Sequence, residues 1–191
     1  MTDPFPPAIG FSMGKVAADI VTVSHSSPNH SFAEGVGGEP RVVEGPGEYE
    51  IADVLIAGVA TAEEPENGPT NTAYVVRFDD LAICHLGDLR DKLTDKQVED
   101  IGSIDVLLLP VGAGGALGPS KAAEVVAQLE PSLVIPMHYR LNGGTVEGLE
   151  KVDSFIREMG SKEFAPQSKL SVTKSSLPPD LAVVVLENKR L

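Results

Sequence analysis

Two kinds of apolar segment divide the chain into halves, and this division constrains its fold most strongly. The first half holds short runs rich in β-branched residues, which are typical of strands. We predict strands over 20–24, 41–43, 54–59, 72–78 and 81–85, the last two joined by Asp79 and Asp80 as in a hairpin. Between the predicted strands 54–59 and 72–78, the acidic segment 61–71 carries Pro, Gly and Asn and is predicted to be an exposed loop. The first half is therefore mostly β.

Helices and strands alternate in the second half. Thr94 and Gln97 form a capping-box pair ahead of a short helix that ends at Gly102. We predict further helices over 119–130 and from about 145 to Gly160, and strands over 104–112, 133–139, 170–173 and 181–186. Strands first and a β/α alternation afterwards predict an α+β fold, with two stacked sheets and helices outside. The length of 191 residues suits a single domain spanning residues 1–191.

Composition and charge restrict the classes of function. The longest apolar runs are too short for a membrane span, and the N-terminus lacks the basic and apolar regions of a signal peptide, so we expect a cytoplasmic protein. The formal net charge is -13, from 28 acidic and 15 basic residues, without a basic patch. Such a balance repels a phosphate backbone and disfavours nucleic acid as a partner. The single cysteine, Cys84, lies in an apolar run, where we expect a buried thiol.

All four histidines lie at or just after the end of a predicted strand. They are His25, His30, His85 and His138, and Asp88 follows His85 within the same turn. Rigid sheets commonly present ligands and catalytic groups from such positions. The chain has no GxSxG, GxxxxGK or GxGxxG motif, so these side chains are its candidates for chemistry.

Several separated segments resemble the metallo-β-lactamase superfamily. The stretch ADIVTVSHSSPNH (18–30) is similar to the strand and loop that carry HxHxDH in that family. Segment 71–89 resembles the strand pair that ends in its metal-bridging aspartate, here Asp88, and PSLVIPMHY (131–139) resembles the segment of its last histidine. GPGEYEI and DVLLLPVG add a likeness to a prokaryotic branch of zinc-dependent hydrolases. The resemblance implies an αββα sandwich of two mixed sheets that here lacks its opening strands.

The metal motif of the family is incomplete in this chain. Ser27 stands where the second histidine belongs and Asn29 replaces the aspartate, and both are poor zinc ligands. Glu63 or Glu64 is a candidate substitute for a further missing histidine. The first metal position keeps only His25, whereas the second keeps His30, Asp88 and His138, a donor set that matches three-ligand catalytic zinc sites. The resemblance thus implies at most one metal ion, zinc or another divalent cation.

Two hypotheses of function stay open at this point. In the first, the chain hydrolyses a small-molecule ester, amide or phosphodiester with one metal ion, and His25 and Asn29 are catalytic groups beside it. In the second, the chain binds no metal and retains the fold as a binding or assembly module. His85 and Tyr139 are expected to support the site from outside the ligand set. Since relatives carry strands ahead of the Asp3-Pro4 segment, we also expect an unpaired sheet edge, and hence a homo-oligomer, most simply a dimer.

Overall fold

Two sheets of unequal size form the architecture in the computed structural model, which describes residues 1–61, 71–161 and 163–188. The small sheet pairs two parallel strands, β1 (Ile20–Val23) and β2 (Arg41–Glu44). The large sheet contains, in spatial order, β3 (Gly47–Ile51), β4 (Val54–Ala60), β5 (Thr72–Phe78), β6 (Leu81–His85), β7 (Val106–Pro110), β8 (Leu133–Met137) and β9 (Ala182–Val183). Strands β3 to β6 are antiparallel neighbours, whereas β6 to β9 run parallel. The carboxyl ends of β6, β7 and β8 therefore meet at one edge of the sheet.

Helices cover one face of the large sheet. Among the described residues the α-helices are α1 (Asp95–Ile101), α2 (Pro119–Leu129) and α3 (Val152–Glu158). Their apolar side chains, such as Ile101, Val125 and Phe155, are at most 1% exposed and share a core cluster with Leu107 and Leu109 of β7. The capping box predicted for α1 is present, because the Thr94 side chain accepts from the Gln97 backbone and the Gln97 side chain accepts from the Thr94 backbone. The α+β prediction is confirmed.

The small sheet packs against the other face of the large sheet. Val43 of β2, Ile56 of β4 and Tyr74 of β5 form the buried cluster between them. The Tyr74 hydroxyl lies 3.0 Å from the Val23 carbonyl oxygen, to which it donates, and so ties the end of β1 to β5. This hydrogen bond fixes the strand from which the next residues, Ser24 and His25, emerge. Outside the small sheet lies a short 3-10 helix, Ala33–Gly35, in place of an α-helix.

Most predicted strands are found within one or two residues of their expected bounds, but four features differ. Strand β3 was not predicted, since alternating glutamates in GEYEI give it only a half-buried face. The helix expected from 145 begins only at Val152, and residues 145–150 form an irregular loop. No strand forms over 170–173, and the last strand is reduced to Ala182–Val183. The expected loop over 61–71 lies almost entirely outside the described residues.

The structure also bears on two further expectations, the burial of the cysteine and the presence of membrane-spanning helices. Cys84 is fully buried, and burial raises the pKa of its thiol to about 12, so it is protonated at neutral pH. Within the described parts of the chain, no helix combines the length and the apolar character needed to cross a membrane. Gly114 lies close to His138, since a Cβ at this position would lie 2.6 Å from Leu149 Cδ2 and 3.8 Å from His138 Cε1.

Asp105 connects the start of β7 to the C-terminal part of the chain. Its carboxylate accepts from the Ala82 backbone N–H at 2.9 Å and from Lys174 Nζ at 2.7 Å. Burial would raise the pKa of Asp105, but these two hydrogen bonds and the Lys174 charge outweigh it, so the pKa lies below its usual 3.8. The folded state therefore favours the ionised form.

Replacing Asp105 with Asn is expected to lower the free energy of unfolding by about 1 kcal/mol at pH 7, because the ion pair with Lys174 is lost. A lowered folded-state pKa stabilises the fold fully above the unfolded value of 3.8, and this contribution disappears as the pH falls below it. Urea unfolding of both proteins between pH 7 and pH 3 measures the difference. A difference that stayed constant over this range would contradict the assignment.

Candidate metal centre

Strand ends of both sheets and the loop after β1 bring the four histidines close together. His25 follows β1, His85 ends β6 and His138 follows β8, while His30 lies in the loop after β1. The ring centroids of His25 and His30 are 4.5 Å apart, and those of His30 and His138 are 5.5 Å apart. His30, His85 and His138 line a common cavity. Residues more than 100 positions apart in the chain therefore form one imidazole cluster, which we call the histidine cluster.

Asp88 lies between two of these imidazoles. Its Oδ2 is 3.9 Å from His25 Nε2, and its Oδ1 is 3.8 Å from His138 Nε2. Both distances exceed those of a direct hydrogen bond, so each nitrogen faces an oxygen across a gap. Arg90 Nη2 lies 3.6 Å from Asp88 Oδ2 and is half exposed. The carboxylate is thus flanked by nitrogen donors on two sides, with space between the groups.

The turn that carries Asp88 is fixed by its neighbours. Asn71 Oδ1 accepts from the Asp88 backbone N–H at 2.8 Å, and Asn71 Nδ2 donates to the Leu86 carbonyl at 2.9 Å. Gly87 has a φ of +59°, and a Cβ at this position would lie 2.4 Å from the Ser24 Cβ and 2.5 Å from Asn71 Oδ1. Glycine is therefore required both by the left-handed backbone and by the lack of space. The position of Asp88 is set by backbone geometry rather than by its side chain.

Asp3 belongs to the site, although the sequence did not mark it as a candidate. Its Oδ1 accepts from the Ser24 backbone N–H at 2.8 Å, its Oδ2 accepts from the Ser24 hydroxyl, and Oδ2 lies 3.3 Å from His30 Nδ1. In the described part of the chain, Asp3, His25 and His30 offer ligand atoms that all lie within 4.8 Å of one another. The sequence around Asp3 is a Pro-rich segment without periodicity, so nothing in it indicated this contact.

Ser24 determines which ring nitrogen of His25 carries a proton. The Ser24 hydroxyl lies 3.0 Å from His25 Nδ1. Because that hydroxyl donates its single proton to Asp3, it can only accept from His25, which places the proton of the neutral ring on Nδ1. The lone pair of Nε2 then faces Asp88. A carboxylate or hydroxyl behind a histidine commonly orients the other ring nitrogen toward a metal ion in this way.

Burial favours the neutral form of three of the imidazoles, those of His25, His85 and His138. Burial lowers the pKa of His25, and the neighbouring His30 lowers it further against the opposing charge of Asp88. Burial also lowers the pKa of His138 and of His85, although nearby carboxylates oppose the shift. In Asp3, hydrogen bonds from His30 and Ser24 outweigh the effect of burial, and the pKa of the carboxyl lies below its ordinary value. Neutral imidazoles beside ionised carboxylates are the forms in which both groups bind metal ions.

His138 adopts a strained backbone conformation. Its φ is +52°, a left-handed value that is uncommon outside glycine. A Cβ on Gly112 would lie only 2.4 Å from the His138 carbonyl oxygen, so the two segments approach closely. The Nδ1 atoms of His85 and His138 are buried and have no hydrogen-bond partner among the described residues. Strain and unsatisfied polar atoms of this kind concentrate at functional sites.

The degenerate motif positions lie beside the cluster without completing it. Ser27 uses its backbone carbonyl, which accepts from the His30 N–H and the Ser31 hydroxyl, each at 2.9 Å. Asn29 is exposed and lines the same cavity as His30 and His138. Tyr139 also lines it, and burial raises the pKa of its hydroxyl. Glu63 and Glu64 lie outside the described residues. The predicted residues His30, Asp88 and His138 do come together, and His25 lies with them.

Comparison with known proteins establishes the family. Residues 1–138 match the family described as β-lactamase superfamily domain. A crystal structure from Thermotoga maritima, assigned to the metallo-β-lactamase superfamily, superposes with a TM-score of 0.80 at 36% identity and covers 97% of this chain and 87% of its own. This agreement confirms the metallo-β-lactamase fold.

Curated relatives match over shorter stretches. A UPF0173 metal-dependent hydrolase of Methanopyrus kandleri is 34% identical over 93 residues, which are 48% of this chain and 39% of the relative. One of Pyrococcus horikoshii is 37% identical over 98 residues, 49% of this chain and 44% of the relative. The chain thus spans less than half the length of these two relatives. From the family match and the superposed fold together, the chain belongs to the β-lactamase superfamily, in its metallo-β-lactamase branch.

Proposed function

We propose that the chain is a metal-dependent hydrolase that holds one divalent metal ion in the histidine cluster. The observation that carries this proposal is the position of Asp88, whose two oxygens face His25 Nε2 and His138 Nε2 at 3.9 and 3.8 Å. A cation between these groups would neutralise the carboxylate and satisfy both nitrogens. The relatives from Methanopyrus and Pyrococcus, named as metal-dependent hydrolases, support the same function.

The donor set fits such an ion. We assign the ligands to Asp88, His30 and His138, as the sequence predicted, and add His25 because its Nε2 lone pair faces Asp88. Imidazole nitrogens with one carboxylate suit zinc, and zinc can extend its coordination to five, which leaves a position for water or substrate. Asp3 then holds His30 from behind through Nδ1, and Ser24 does the same for His25. The proposed metal is therefore zinc.

Other residues of the site contact the substrate or orient the metal ligands. When bound, a divalent metal ion activates water and polarises a carbonyl or phosphoryl oxygen. Asn29, exposed at the cavity, can donate its amide N–H to an oxygen of the substrate. Arg90 Nη2 lies 3.6 Å from Asp88 Oδ2 and helps to orient that carboxylate. His25, which the sequence indicated as a catalytic group beside the metal, has its Nδ1 proton engaged by Ser24 and acts in this proposal as a ligand.

The alternative function is that of an inactive family member which keeps the fold as a binding or assembly module. The residues that favour it are Ser27 and Asn29, since neither provides a strong metal ligand. In that case the contacts of Asp3, Ser24 and His30 would be structural, and the site would hold no ion. A homo-oligomer stays a prediction as well: β2 lies at an edge of the small sheet, with Val42 46% exposed, and a second copy can pair with such an edge.

The test of the proposed function is removal and return of the metal. We expect the chain to hydrolyse chromogenic esters or amides, to lose this activity on treatment with a chelator, and to regain it in proportion to added Zn²⁺ up to one equivalent. A chelated sample given Mg²⁺ serves as the control, since magnesium prefers oxygen ligands. Full activity without a metal ion would contradict the proposed function, whereas no activity at any metal content over a broad panel would favour the alternative.

A further inference from the structure

A cavity of about 410 Å³ adjoins the histidine cluster. His30, His85 and His138 form one part of its lining. The remaining wall is mostly apolar, and its principal side chains are Phe5, Ile9, Phe11, Met137, Leu141 and Val146. All six are only partly buried, so each exposes apolar surface to the cavity or to solvent. An unfilled apolar cavity beside a candidate catalytic site is the usual form of a substrate pocket.

The wall is held in place by backbone contacts and does not need a ligand to form. The Thr145 backbone N–H donates to the Ile9 carbonyl at 3.0 Å, and the Thr145 hydroxyl donates to the Ala8 carbonyl at 2.9 Å. Gly10 approaches so closely that a Cβ there would lie 2.3 Å from the Gly143 carbonyl oxygen. The N-terminal segment and the loop after β8 thus close against each other. The pocket is therefore preformed.

Charges in the lining constrain the occupant. Among the described residues that line the cavity, the carboxylate of Asp3 is already engaged by Ser24 and His30, and Arg140 is exposed to solvent. The apolar side chains offer no partner for a charged group, and burying an unpaired charge among them would be costly. The apolar part of the cavity accordingly suits an uncharged apolar group rather than a charged one such as a phosphodiester.

We propose that this cavity holds the apolar acyl or alkyl part of an uncharged ester or amide, with the bond to be cleaved at the histidine cluster. The inference rests on the proposed function for the reaction, although the pocket itself does not depend on it. A cavity of about 410 Å³ lies within the range of small-molecule pockets, so it can hold an acyl or alkyl group of several carbons.

The test measures binding without turnover. Neutral n-alcohols from butanol to decanol contain no bond to hydrolyse, so neither a metal ion nor activity is needed for the readout. Methyl-labelled methionine reports binding by NMR, because Met137 lines the cavity whereas Met159 lies at the end of α3. We expect a saturable shift at Met137 and none at Met159, with Kd falling about four-fold per added methylene until the cavity is full.

Two variants test the location of the binding. Val146→Trp should fill the cavity and end the gain in affinity at a shorter alcohol, and Leu141→Ala should enlarge it and move that limit to a longer one. Phe78→Ala is the matched control, because Phe78 is 55% exposed at the opposite end of β5 and β6 from His85, and it should leave the profile unchanged. Thermal unfolding checks that each variant is folded.

The outcomes separate this inference from the proposed function. Affinity that does not depend on chain length, or a length profile that is the same in folded Val146→Trp and in the unmodified chain, would overturn the pocket assignment even if the protein proved to be a metal-dependent hydrolase. If affinity rises with alcohol chain length as expected but the protein has no metal-dependent activity, the pocket assignment stands and only the proposed reaction is contradicted.

Discussion

Replacing Asp88 with Asn is expected to weaken the binding of Zn²⁺ or Co²⁺ on the order of 100-fold or more. The change removes the negative charge that lies between His25 Nε2 and His138 Nε2, and a neutral amide oxygen is a much weaker ligand for a divalent ion. The asparagine has almost the same shape, and the backbone N–H that Asn71 holds is unaffected. Isothermal titration of the chelated protein with the metal ion measures the loss.

Asp91→Asn is the matched control for this variant. Asp91 lies three residues further along, is exposed, and pairs with Lys121 at 2.9 Å, so its replacement changes the net charge equally without reaching the site. Metal affinity should stay within about two-fold of the unmodified chain, since exposed charges outside the site contribute little. Equal losses in the two variants would mean that Asp88 acts only through the overall charge, and would contradict its assignment as a ligand.

Replacing Gly87 with Ala is expected to destabilise the fold by roughly 2–5 kcal/mol, the sum of a left-handed backbone cost and an overpacked site. The new methyl group would lie 2.4 Å from the Ser24 Cβ and 2.5 Å from Asn71 Oδ1, and neither neighbour is a flexible chain end. Relief of the clash must displace β1 or the Asn71 side chain. The midpoint of urea unfolding measures the cost.

Gly160→Ala separates the two causes. Gly160 also has a positive φ, +78°, but nothing lies within 4 Å of a Cβ placed there. It should therefore cost only the backbone part, about 1–2 kcal/mol. If the two variants proved equally stable, the close approach of Gly87 to Ser24 and Asn71 would not be a determinant of the fold.

Local patterns in the sequence predict the elements that surround the site. The β-branched runs of β5 and β6 and the capping box of α1 are all read from neighbouring residues, and the structure confirms them. The histidines that the sequence places at strand ends do lie close together in the structure. The order of strands in the large sheet and the small size of the second sheet depend on long-range pairing, which local patterns do not encode.

The features that the sequence did not reveal depend on contacts between distant segments. Asp3 joins the site only because the N-terminal residues run beside β1, where the Asp3 backbone N–H donates to the Thr22 carbonyl at 2.9 Å. Val146 and Leu149 have helical spacing with the residues of α3, yet they lie in a loop that contains Gly148 with a φ of +77°. Their apolar character serves the cavity instead of a helix face. Packing around the cavity in this region overrides a local pattern.

The number of metal ions bound per chain tests the central claim most directly. The purified protein would be stripped with a chelator, incubated with excess Zn²⁺, passed through a desalting column and analysed by elemental mass spectrometry against protein concentration. The assignment of His25, His30, Asp88 and His138 to one site predicts one zinc ion per chain, retained in Asp91→Asn and lost in Asp88→Asn. No retained zinc in the folded, unmodified chain would contradict it.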